Sequence, residues 1–405
     1  MIYSELEEFI STHITQRKES LLVPDFKKYR EELNKRINNK NVLVIGGAGT
    51  IGSSYIKAIL KFNINKLVVV DINENGLTEL VRDLRSSSEY NIPSDFITYP
   101  INFGDPVFEK MFRSLGPFDI VANFAAHKHV RSEKDIFSIE TMIDNNVLRA
   151  KKLLDLLVEF PPEHFFCVST DKAANPVNIM GASKKLMEEL IMSYSSLIPI
   201  KTARFANVAF SNGSLPLGFL ERFSKRQPWS CPLGIRRFFV SPKESGELCL
   251  MASIMGESGD IFYPKLDENK DMIPFDQIAK ALIKELGYTP GLCKSEDEAR
   301  LKAKQLNGNS KEYPIYLFGS DTSGEKTFEE FYTDKEVLDE DSFVNLGVIK
   351  NSIKRDISEV KIILNKLRVL FEKDIITKKE IVAILNEYLP NFDHIETGKH
   401  LDQKM

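Results

Sequence analysis

Residues 41–52 read NVLVIGGAGTIG, and this stretch decides the fold of the chain. Its first half is a short β-branched run of the kind that is buried in a parallel sheet. A glycine-rich turn follows, and the apolar spacing then predicts a helix over residues 51–62. Residues 66–71, KLVVVD, read as the next strand. A strand, a glycine turn, a helix and a second strand predict the first unit of a nucleotide-binding α/β domain.

The turn carries three glycines in the pattern GxxGxxG. We expect Gly46 to allow the tight turn, Gly49 to let the backbone approach a pyrophosphate, and Gly52 to let the helix pack against the sheet. The first helical turn, with Thr50 and Ile51, is expected to stabilise phosphate charge through its free N–H groups and the helix dipole. The pattern therefore predicts a dinucleotide cofactor.

The choice of dinucleotide depends on Asp71, which ends the second strand 19 positions after Gly52. A carboxylate there accepts hydrogen bonds from the adenosine ribose hydroxyls and would repel a 2′-phosphate. Ile72 and Asn73 supply no compensating positive charge, so the sequence favours NAD over NADP. Asn102 follows the third strand and is either a ligand of the adenine edge or an ordinary polar loop residue.

Strands and helical patterns alternate along the first half of the chain. Further strands are predicted at residues 95–100, 120–124, 165–169 and 200–205, with helices at 139–159 and 183–195. This alternation is typical of a doubly wound parallel sheet, the Rossmann type of α/β fold. We expect four regions: a helical N-terminal extension over 1–40, an NAD-binding domain over 41–208, a smaller and mainly substrate-binding domain over 209–335 with some return to the sheet, and a helical region over 336–405.

The N-terminal extension, the polar stretch near residue 300 and the C-terminal region each carry a separate prediction. The N-terminal extension is either a cap on the protein or an arm that binds a partner. Residues 294–313 are polar and predict an inserted loop or short helix. In the C-terminal region, the spacing of apolar residues, Ile349 and Ile353 among them, predicts two helices.

Composition narrows the class of protein. The 405 residues hold 54 Lys and Arg against 58 Asp and Glu, a net charge of −4, so nucleic-acid binding through bulk charge is not expected. The four cysteines are widely spaced, which predicts buried reduced thiols and neither disulfides nor a zinc site. No run reaches the ~18 apolar residues of a membrane span, and no export signal is visible, so a cytoplasmic protein is expected. His127 and His129 are poorly spaced as metal ligands, and no metal is expected.

A second cluster lies at residues 167–172, which read CVSTDK at the end of a predicted strand. Ligands of open α/β sheets bind at the carboxyl ends of strands, so Thr170, Asp171 and Lys172 are within reach of one substrate. A carboxylate and an amine together can move protons in both directions. The alternative is a solvated turn with a local ion pair.

Residues 180–184 read MGASK, where short-chain dehydrogenases carry a YxxxK on one helix. The spacing of four places Met180 and Lys184 on the same helix face. A thioether has no exchangeable proton, so Met180 is not the base that the family's tyrosine is.

Together with GGAGTIG, four stretches carry a family resemblance: AAHKHV (125–130), STDKAANP (169–176), MGASKK (180–185) and RFANV (204–208). Over residues 41–335 the chain resembles the CapD-like polysaccharide-biosynthesis proteins. These are extended short-chain dehydrogenases/reductases, and they include nucleotide-sugar 4,6-dehydratases that typically act on UDP-N-acetylglucosamine. Several of those dehydratases also have Met in place of Tyr.

The resemblance implies a role for each site residue. Lys172 would be the base at sugar C5 and Asp171 the acid for the departing C6 hydroxyl, while Thr170 would bond to the C4 oxygen. Lys184 would hold the nicotinamide ribose. The group that takes the O4 proton stays open between Asp171, a water molecule and His127. The remaining residues that the resemblance implies are Ala125 at the cofactor and Lys128, Asn207 and Arg237 at the substrate.

One departure from the family lies in residues 319–330, GSDTSGEKTFEE, where relatives have an Arg that helps to hold the nucleotide. The Arg is missing, and Asp321 would be unfavourable beside a pyrophosphate. Three functions stay in view: the 4,6-dehydratase, an epimerase acting at C4 or C5, and a non-catalytic NAD-binding scaffold. A homo-oligomer is expected.

Overall fold

The structure is a computed structural model that describes residues 3–129, 133–319, 329–389 and 392–394. Its helices are α1 Tyr3–Phe9, α2 Val23–Lys28, α3 Arg30–Ile37, α4 Thr50–Ile59, α5 Glu74–Ser86, α6 Pro106–Leu115, α7 Ile136–Ile143, α8 Arg149–Glu159, α9 Ile179–Ser193, α10 Leu215–Ser224, α11 Pro242–Met255, α12 Phe275–Glu285, α13 Glu296–Lys304, α14 Ile357–Phe371 and α15 Lys378–Tyr388.

The strands are β1 Asn41–Ile45, β2 Lys66–Val70, β3 Asp95–Tyr99, β4 Ile120–Asn123, β5 His164–Val168, β6 Ile200–Ala203, β7 Asn207–Val208, β8 Trp229–Pro232, β9 Arg236–Val240, β10 Asp260–Pro264, β11 Met272–Pro274, β12 Thr289–Cys293, β13 Glu312–Phe318, β14 Leu338–Asp339 and β15 Leu346–Ile349.

Nine strands form the main sheet in the order β14-β15-β10-β6-β5-β4-β1-β2-β3. The seven strands from β10 to β3 are parallel, and β15 and β14 join antiparallel at one edge. The strand order reverses between β1 and β4, which is where open α/β sheets bind their ligands. The predicted doubly wound Rossmann sheet is confirmed.

Helix α11 belongs to the layer beside this sheet, although it lies within residues 209–335. It crosses α4 so closely that a Cβ at Gly246 would lie 2.2 Å from Ser54 O and 2.7 Å from Tyr55 N. The hydroxyls of Tyr55 and Ser253 also form a hydrogen bond of 3.2 Å across the two helices. The chain therefore returns to the sheet layer through α11 and β10 before it leaves again.

A smaller unit is built from two three-stranded sheets, β11-β9-β7 and β12-β13-β8. Its core centres on Trp229, which is fully buried and stacks on Phe219 with a ring-centroid distance of 4.6 Å. Helix α13 connects the parallel strands β12 and β13, so the polar stretch expected to be a loop or short helix contains a helix within a regular crossover.

The N-terminal extension packs on both units. Phe9 and Ile14 are buried in the core of the smaller unit, and the Phe9 ring lies 6.0 Å from the ring of Phe210. Farther along, Leu33 and Ile37 are fully buried in the core of the main sheet. The extension is therefore a cap on this chain, which is one of the two alternatives that the sequence left open.

Two polar contacts fix the extension between these cores. Arg17 Nε pairs with Glu244 Oε1 at 2.9 Å. The carboxylate of Asp25 accepts hydrogen bonds from the backbone N–H groups of Val344 (2.6 Å) and Asn345 (2.9 Å), just before β15.

Three secondary-structure predictions need correction. Ile349, expected on a helix, lies on β15, and Ile353 is exposed between β15 and α14. The predicted helix over 139–159 is two helices, α7 and α8, joined by a π-helical turn at Asp144–Leu148. Helix α9 begins at Ile179 instead of residue 183, because the side chain of Asn178 accepts a hydrogen bond from Gly181 N and caps it.

We predict that Gly246→Ala destabilises the protein, although alanine is the better helix former. The new methyl group would collide with helix backbone, and overpacking of this kind costs about 1–3 kcal/mol. Urea unfolding measures the change in free energy.

The matched control is Gly308→Ala, where a Cβ would meet no atom within 4 Å. A loss of stability no larger for Gly246→Ala than for Gly308→Ala would contradict the close crossing of α4 and α11.

Candidate active site

The glycines of the turn between β1 and α4 differ in how much free space surrounds them. Gly46 has a φ of +75°, and a Cβ there would lie 2.5 Å from Ala125 N. A Cβ at Gly52 would lie 2.2 Å from Gly46 O, so both positions are closed by neighbouring backbone. A Cβ at Gly49 would meet only Gly46 O, at 3.4 Å. The turn is therefore packed at Gly46 and Gly52 and open at Gly49, in front of the first turn of α4.

Thr50 lies in that first turn of α4, and Ile51 follows it. The Thr50 hydroxyl accepts a hydrogen bond of 3.0 Å from Asn212 N. This contact joins the helix N-terminus to the loop that leads into the smaller unit. This hydrogen bond thus places the loop of the smaller unit beside the first turn of α4.

Asp71 lies at the end of β2, beside the glycine turn. Its Oδ2 accepts a hydrogen bond from Ala48 N and its Oδ1 one from Asn73 N, both at 2.9 Å. Each oxygen keeps a lone pair for a further donor. Asn102 Oδ1 accepts from Gly104 N at 2.9 Å, so its side chain supports its own turn and keeps the amide NH₂ for other partners.

Lys184 on α9 is buried at the end of β5. Its Nζ donates to Val168 O at 2.6 Å and lies 3.3 Å from Met187 Sδ. Burial lowers the pKa of Lys184, against weaker opposite effects of Cys167 and Glu188. An ammonium has three protons, and these two acceptors are its hydrogen-bond partners among the described residues. The third proton suits a ribose hydroxyl, so the open glycine turn, Asp71 and Lys184 together fit NAD.

Thr170, Asp171 and Lys172 converge on one atom. Asp171 Oδ1 accepts from the Thr170 hydroxyl (2.8 Å), from Lys172 N (2.9 Å) and from Lys172 Nζ (3.1 Å). Asp171 is buried, whereas the side chain of Lys172 is 18% exposed. The structure therefore brings these three predicted residues together at the carboxyl end of β5, near Lys184.

Sequence reasoning missed one member of this group. Glu329 is 5% exposed, and its Oε1 lies 3.8 Å from Lys172 Nζ. Its neighbour Glu330 accepts a hydrogen bond of 2.9 Å from Asn175 Nδ2. The signal in the sequence is the Glu pair that ends residues 319–330. Asp321 and the rest of residues 320–328 lie outside the described residues.

Met180 is buried in the first turn of α9, four residues before Lys184. Its N–H donates to Glu133 Oε1 at 3.0 Å. Met180 and Lys184 lie on the same helix face, as their spacing predicts.

His127 is held by its backbone. Its N–H donates to Asn146 Oδ1 and its carbonyl accepts from Asn146 Nδ2, both at 2.9 Å. Burial lowers the pKa of His127, and Arg149 lowers it further against the opposite effect of Asp144. The imidazole is therefore neutral at physiological pH and available as a proton acceptor.

The three predicted substrate ligands are distributed around the cleft. Lys128 is exposed in the loop after β4. Asn207 and Arg237 lie on the neighbouring strands β7 and β9 of the smaller unit. Arg237 is buried, and its Nη1 donates to Arg236 O at 2.8 Å. No described contact joins Lys128 to the other two, so their common role stays a prediction.

A buried ion cluster lies beside the carboxyl end of β5. Arg204 is fully buried and pairs with Glu188 at 2.6 Å and with Glu336 at 2.8 Å. Glu188 Oε2 also accepts from the Ser169 hydroxyl at 3.0 Å. Burial raises the pKa of Glu188, but Arg204, Lys185 and its hydrogen bonds outweigh burial and lower the pKa to about 2. The cluster links α9, the segment before Thr170 and the segment after Glu329.

Comparison with known proteins gives the family. Residues 42–351 match the family described as polysaccharide biosynthesis protein. The chain belongs to this family. It is 28% identical over 364 residues to the uncharacterized membrane protein MJ1061 of Methanocaldococcus jannaschii, which covers 88% of this chain and 98% of that protein. It is 27% identical to the capsular polysaccharide biosynthesis protein CapD of Staphylococcus aureus. That alignment covers 75% of this chain and 49% of CapD, so the chain spans about half the length of that relative.

Relatives with named activities include both a dehydratase and an epimerase. The inverting UDP-N-acetylglucosamine 4,6-dehydratase of Campylobacter jejuni is 28% identical, over 58% of this chain and 69% of the enzyme. The UDP-glucose 4-epimerase of Rickettsia typhi is 29% identical, over 72% of this chain and 87% of the enzyme. Among solved structures, Pen from Bacillus thuringiensis shares the fold, with a TM-score of 0.64 and 22% identity over 88% of this chain and 98% of that one.

Across the described residues, none of the helices is both long and apolar enough to span a bilayer.

We predict that Arg204→Met lowers the free energy of unfolding by about 3–5 kcal/mol at neutral pH, because it leaves the buried Glu188 carboxylate without its main partner. In the wild type, a carboxyl with a depressed pKa stabilises the fold above its ordinary pKa, and this contribution is lost as pH falls from about 4.5 toward 2. Urea unfolding at pH 7 and pH 4 measures both effects.

The control is Arg82→Met on the exposed face of α5, where the ion pair with Glu79 is 3.7 Å long and open to solvent. Its effect should stay below about 1 kcal/mol. Equal losses for Arg82→Met and Arg204→Met would contradict a supporting role for the buried cluster.

Proposed function

We propose that the chain is an NAD-dependent nucleotide-sugar 4,6-dehydratase, with UDP-N-acetylglucosamine as its expected substrate. One observation carries the proposal: Thr170 and Lys172 both donate to Asp171 at the catalytic end of β5, while Met180 occupies the place of the family's tyrosine. Membership of the polysaccharide-biosynthesis family and the dehydratase of C. jejuni among its relatives support the same reaction.

NAD would be held by the glycine turn, Asp71 and Lys184, and when bound it supplies reversible acceptance and return of a hydride. Lys184 holds the nicotinamide ribose through its third ammonium proton. Asp71 uses its remaining lone pairs for the adenosine ribose hydroxyls and excludes a 2′-phosphate.

The Asp171–Lys172 pair has the proton inventory that an elimination needs. The elimination starts with Lys172 as a neutral amine and Asp171 as a carboxylic acid, whose proton comes from sugar O4 during the oxidation at C4; the Lys172 Nζ lies 3.1 Å from Asp171 Oδ1. Lys172 then removes the proton from C5, which the C4 ketone acidifies, and Asp171 protonates the C6 hydroxyl as it leaves as water. The pair ends as ammonium and carboxylate, and Lys172 returns its proton to C5 when hydride reaches C6.

The proton released from O4 restores the protonated form of Asp171. Asp171 finishes one turnover without the proton it gave to the leaving water, and oxidation at C4 releases one proton from O4. The Thr170 hydroxyl donates to Asp171 Oδ1 at 2.8 Å, so a proton passed from O4 to Thr170 can continue to Asp171. This contact favours Asp171 over a water molecule and over His127, the other two acceptors considered from the sequence.

An epimerase is the second candidate because the R. typhi 4-epimerase aligns with 72% of this chain. A C4 epimerase needs a base for O4 and has less need of a C5 base and a C6 acid. Met180, which cannot act as a base, and the Asp171–Lys172 pair favour the dehydratase.

We predict that the purified protein, incubated with NAD and UDP-N-acetylglucosamine, forms a product one water lighter, with a methyl group at C6. Mass spectrometry and NMR measure these two properties. An isomer of unchanged mass would establish the epimerase, and a lighter product without a C6 methyl group would contradict hydride return to C6. An unchanged substrate would exclude UDP-N-acetylglucosamine, and GDP- and CDP-linked sugars would be tested next.

We predict that Lys172→Met lowers kcat about 10²–10⁴-fold, because it removes the C5 base while the oxidation at C4 stays possible. Single-turnover absorbance should still show reduced nicotinamide, and exchange of the C5 proton with deuterated solvent should disappear.

Thr170→Val is the complementary variant, since it should suppress formation of reduced nicotinamide. Lys152→Met on the exposed face of α8 is the surface control and should keep wild-type turnover. Retained C5 exchange in Lys172→Met would remove Lys172 from its proposed role.

A further inference from the structure

The first turn of α9 carries Met180 and leads to Lys184, so its position matters to any ligand in the cleft. A helix N-terminus leaves N–H groups without helical partners, and they need other acceptors. The side chain of Asn178 accepts from Gly181 N at 2.7 Å. Glu133, from the loop between β4 and α7, accepts from Met180 N at 3.0 Å. A buried carboxylate therefore holds the backbone of Met180 itself.

Glu133 is 5% exposed, and its second oxygen faces the C-terminal region. Lys378 Nζ lies 3.8 Å and His394 Nε2 lies 3.4 Å from Glu133 Oε2. Lys378 is the first residue of α15, where the helix dipole disfavours a cation. The Glu133 carboxylate compensates for that placement, and Lys378 offsets the cost of burying the carboxylate.

The C-terminal helices are attached to α9 at a second point. Arg355, just before α14, pairs with Glu189 of α9 at 2.6 Å. Its guanidinium lies 4.1 Å from the centre of the Tyr388 ring and donates to Tyr388 O at the end of α15. Helices α14 and α15 are thereby held as a pair against α9, and α15 begins where Glu133 meets the first turn of α9.

We propose that the pair α14–α15 positions the active site through Glu133, which fixes the first turn of α9 and with it Met180 and Lys184. This inference rests in part on the proposed function, since it gives the C-terminal region a role in that site. Glu133 is a positioning residue: it acts on the backbone of Met180. A carboxylate with no cation at its second oxygen would be stabilised by hydration if it turned toward solvent, and it would then release Met180 N. The C-terminal region is then a working part of the enzyme instead of an appendage.

Hydrogen–deuterium exchange tests the contact without any substrate. Lys378→Met keeps the aliphatic part of a partly exposed side chain and removes the ammonium group 3.8 Å from Glu133 Oε2, while His394 stays in place. We expect the Met180 and Gly181 amides to exchange about tenfold faster than in the wild type, since a charge-assisted hydrogen bond is weakened. Glu133→Ala removes the acceptor and should give a larger increase. Lys379→Met, the exposed neighbour on α15, is the matched control and should leave these amides unchanged.

Steady-state kinetics test the consequence. Misplacement of Met180 and Lys184 should lower kcat of Lys378→Met about tenfold while KM for the nucleotide sugar stays within about twofold, because orientation is lost and the sugar contacts are not. Glu133→Gln, which keeps an amide oxygen for Met180 N, should retain more activity than Glu133→Ala.

Unchanged amide exchange at Met180 in Lys378→Met would overturn the inference, as would equal activity of Glu133→Gln and Glu133→Ala. Absence of turnover of UDP-, GDP- and CDP-linked sugars by the wild type would instead refute the proposed function, and amide exchange would still decide whether Glu133 connects the two regions.

Discussion

The ion pair between Arg204 and Glu188 is the contact on which the candidate active site at the carboxyl end of β5 depends. Arg204 extends the line of β6 and is fully buried, so its charge is tolerable only because two carboxylates surround it. Through Glu188 it fixes α9 and the hydroxyl of Ser169, and through Glu336 it fixes the segment that follows Glu329. The positions of Asp171 and Lys172, which we propose as the proton-transfer residues, thus depend on a cluster to which neither residue belongs.

Much of the fold was predictable because its signals are local. The β-branched run before the glycine turn gives β1, and the crowding at Gly46 and Gly52 is what the GxxGxxG spacing requires. The antiparallel strands β14 and β15 were not predicted, since β14 pairs with β15 and β15 pairs with β10, far away along the chain. The apolar residue Ile349 fits a strand as well as a helix, and only its partner Ile261 on β10 decides between them.

The candidate site divides in the same way. Thr170, Asp171 and Lys172 are consecutive, so their convergence follows from one turn, and Met180 and Lys184 share a face because four residues make about one helical turn. Glu329 reaches Lys172 from more than 150 positions away, and Glu133 is one of many charged residues in a polar loop. Sequence spacing carries no information on such distant pairs, so both residues needed the three-dimensional structure.

The N-terminal extension has a consequence for how the chain is made. Asp25 binds the backbone of Val344, 319 positions later, and Arg17 binds Glu244, 227 positions later. During synthesis on the ribosome, residues 1–40 emerge before the residues that they bind, and they have no docking surface until most of those residues have followed. Contacts of such long range are slow to form. The apolar side chains of Phe9, Ile10 and Ile14 therefore stay exposed until the smaller unit, whose core extends to Ile315, has been synthesised, and they need protection for longer than the side chains of that core that follow them.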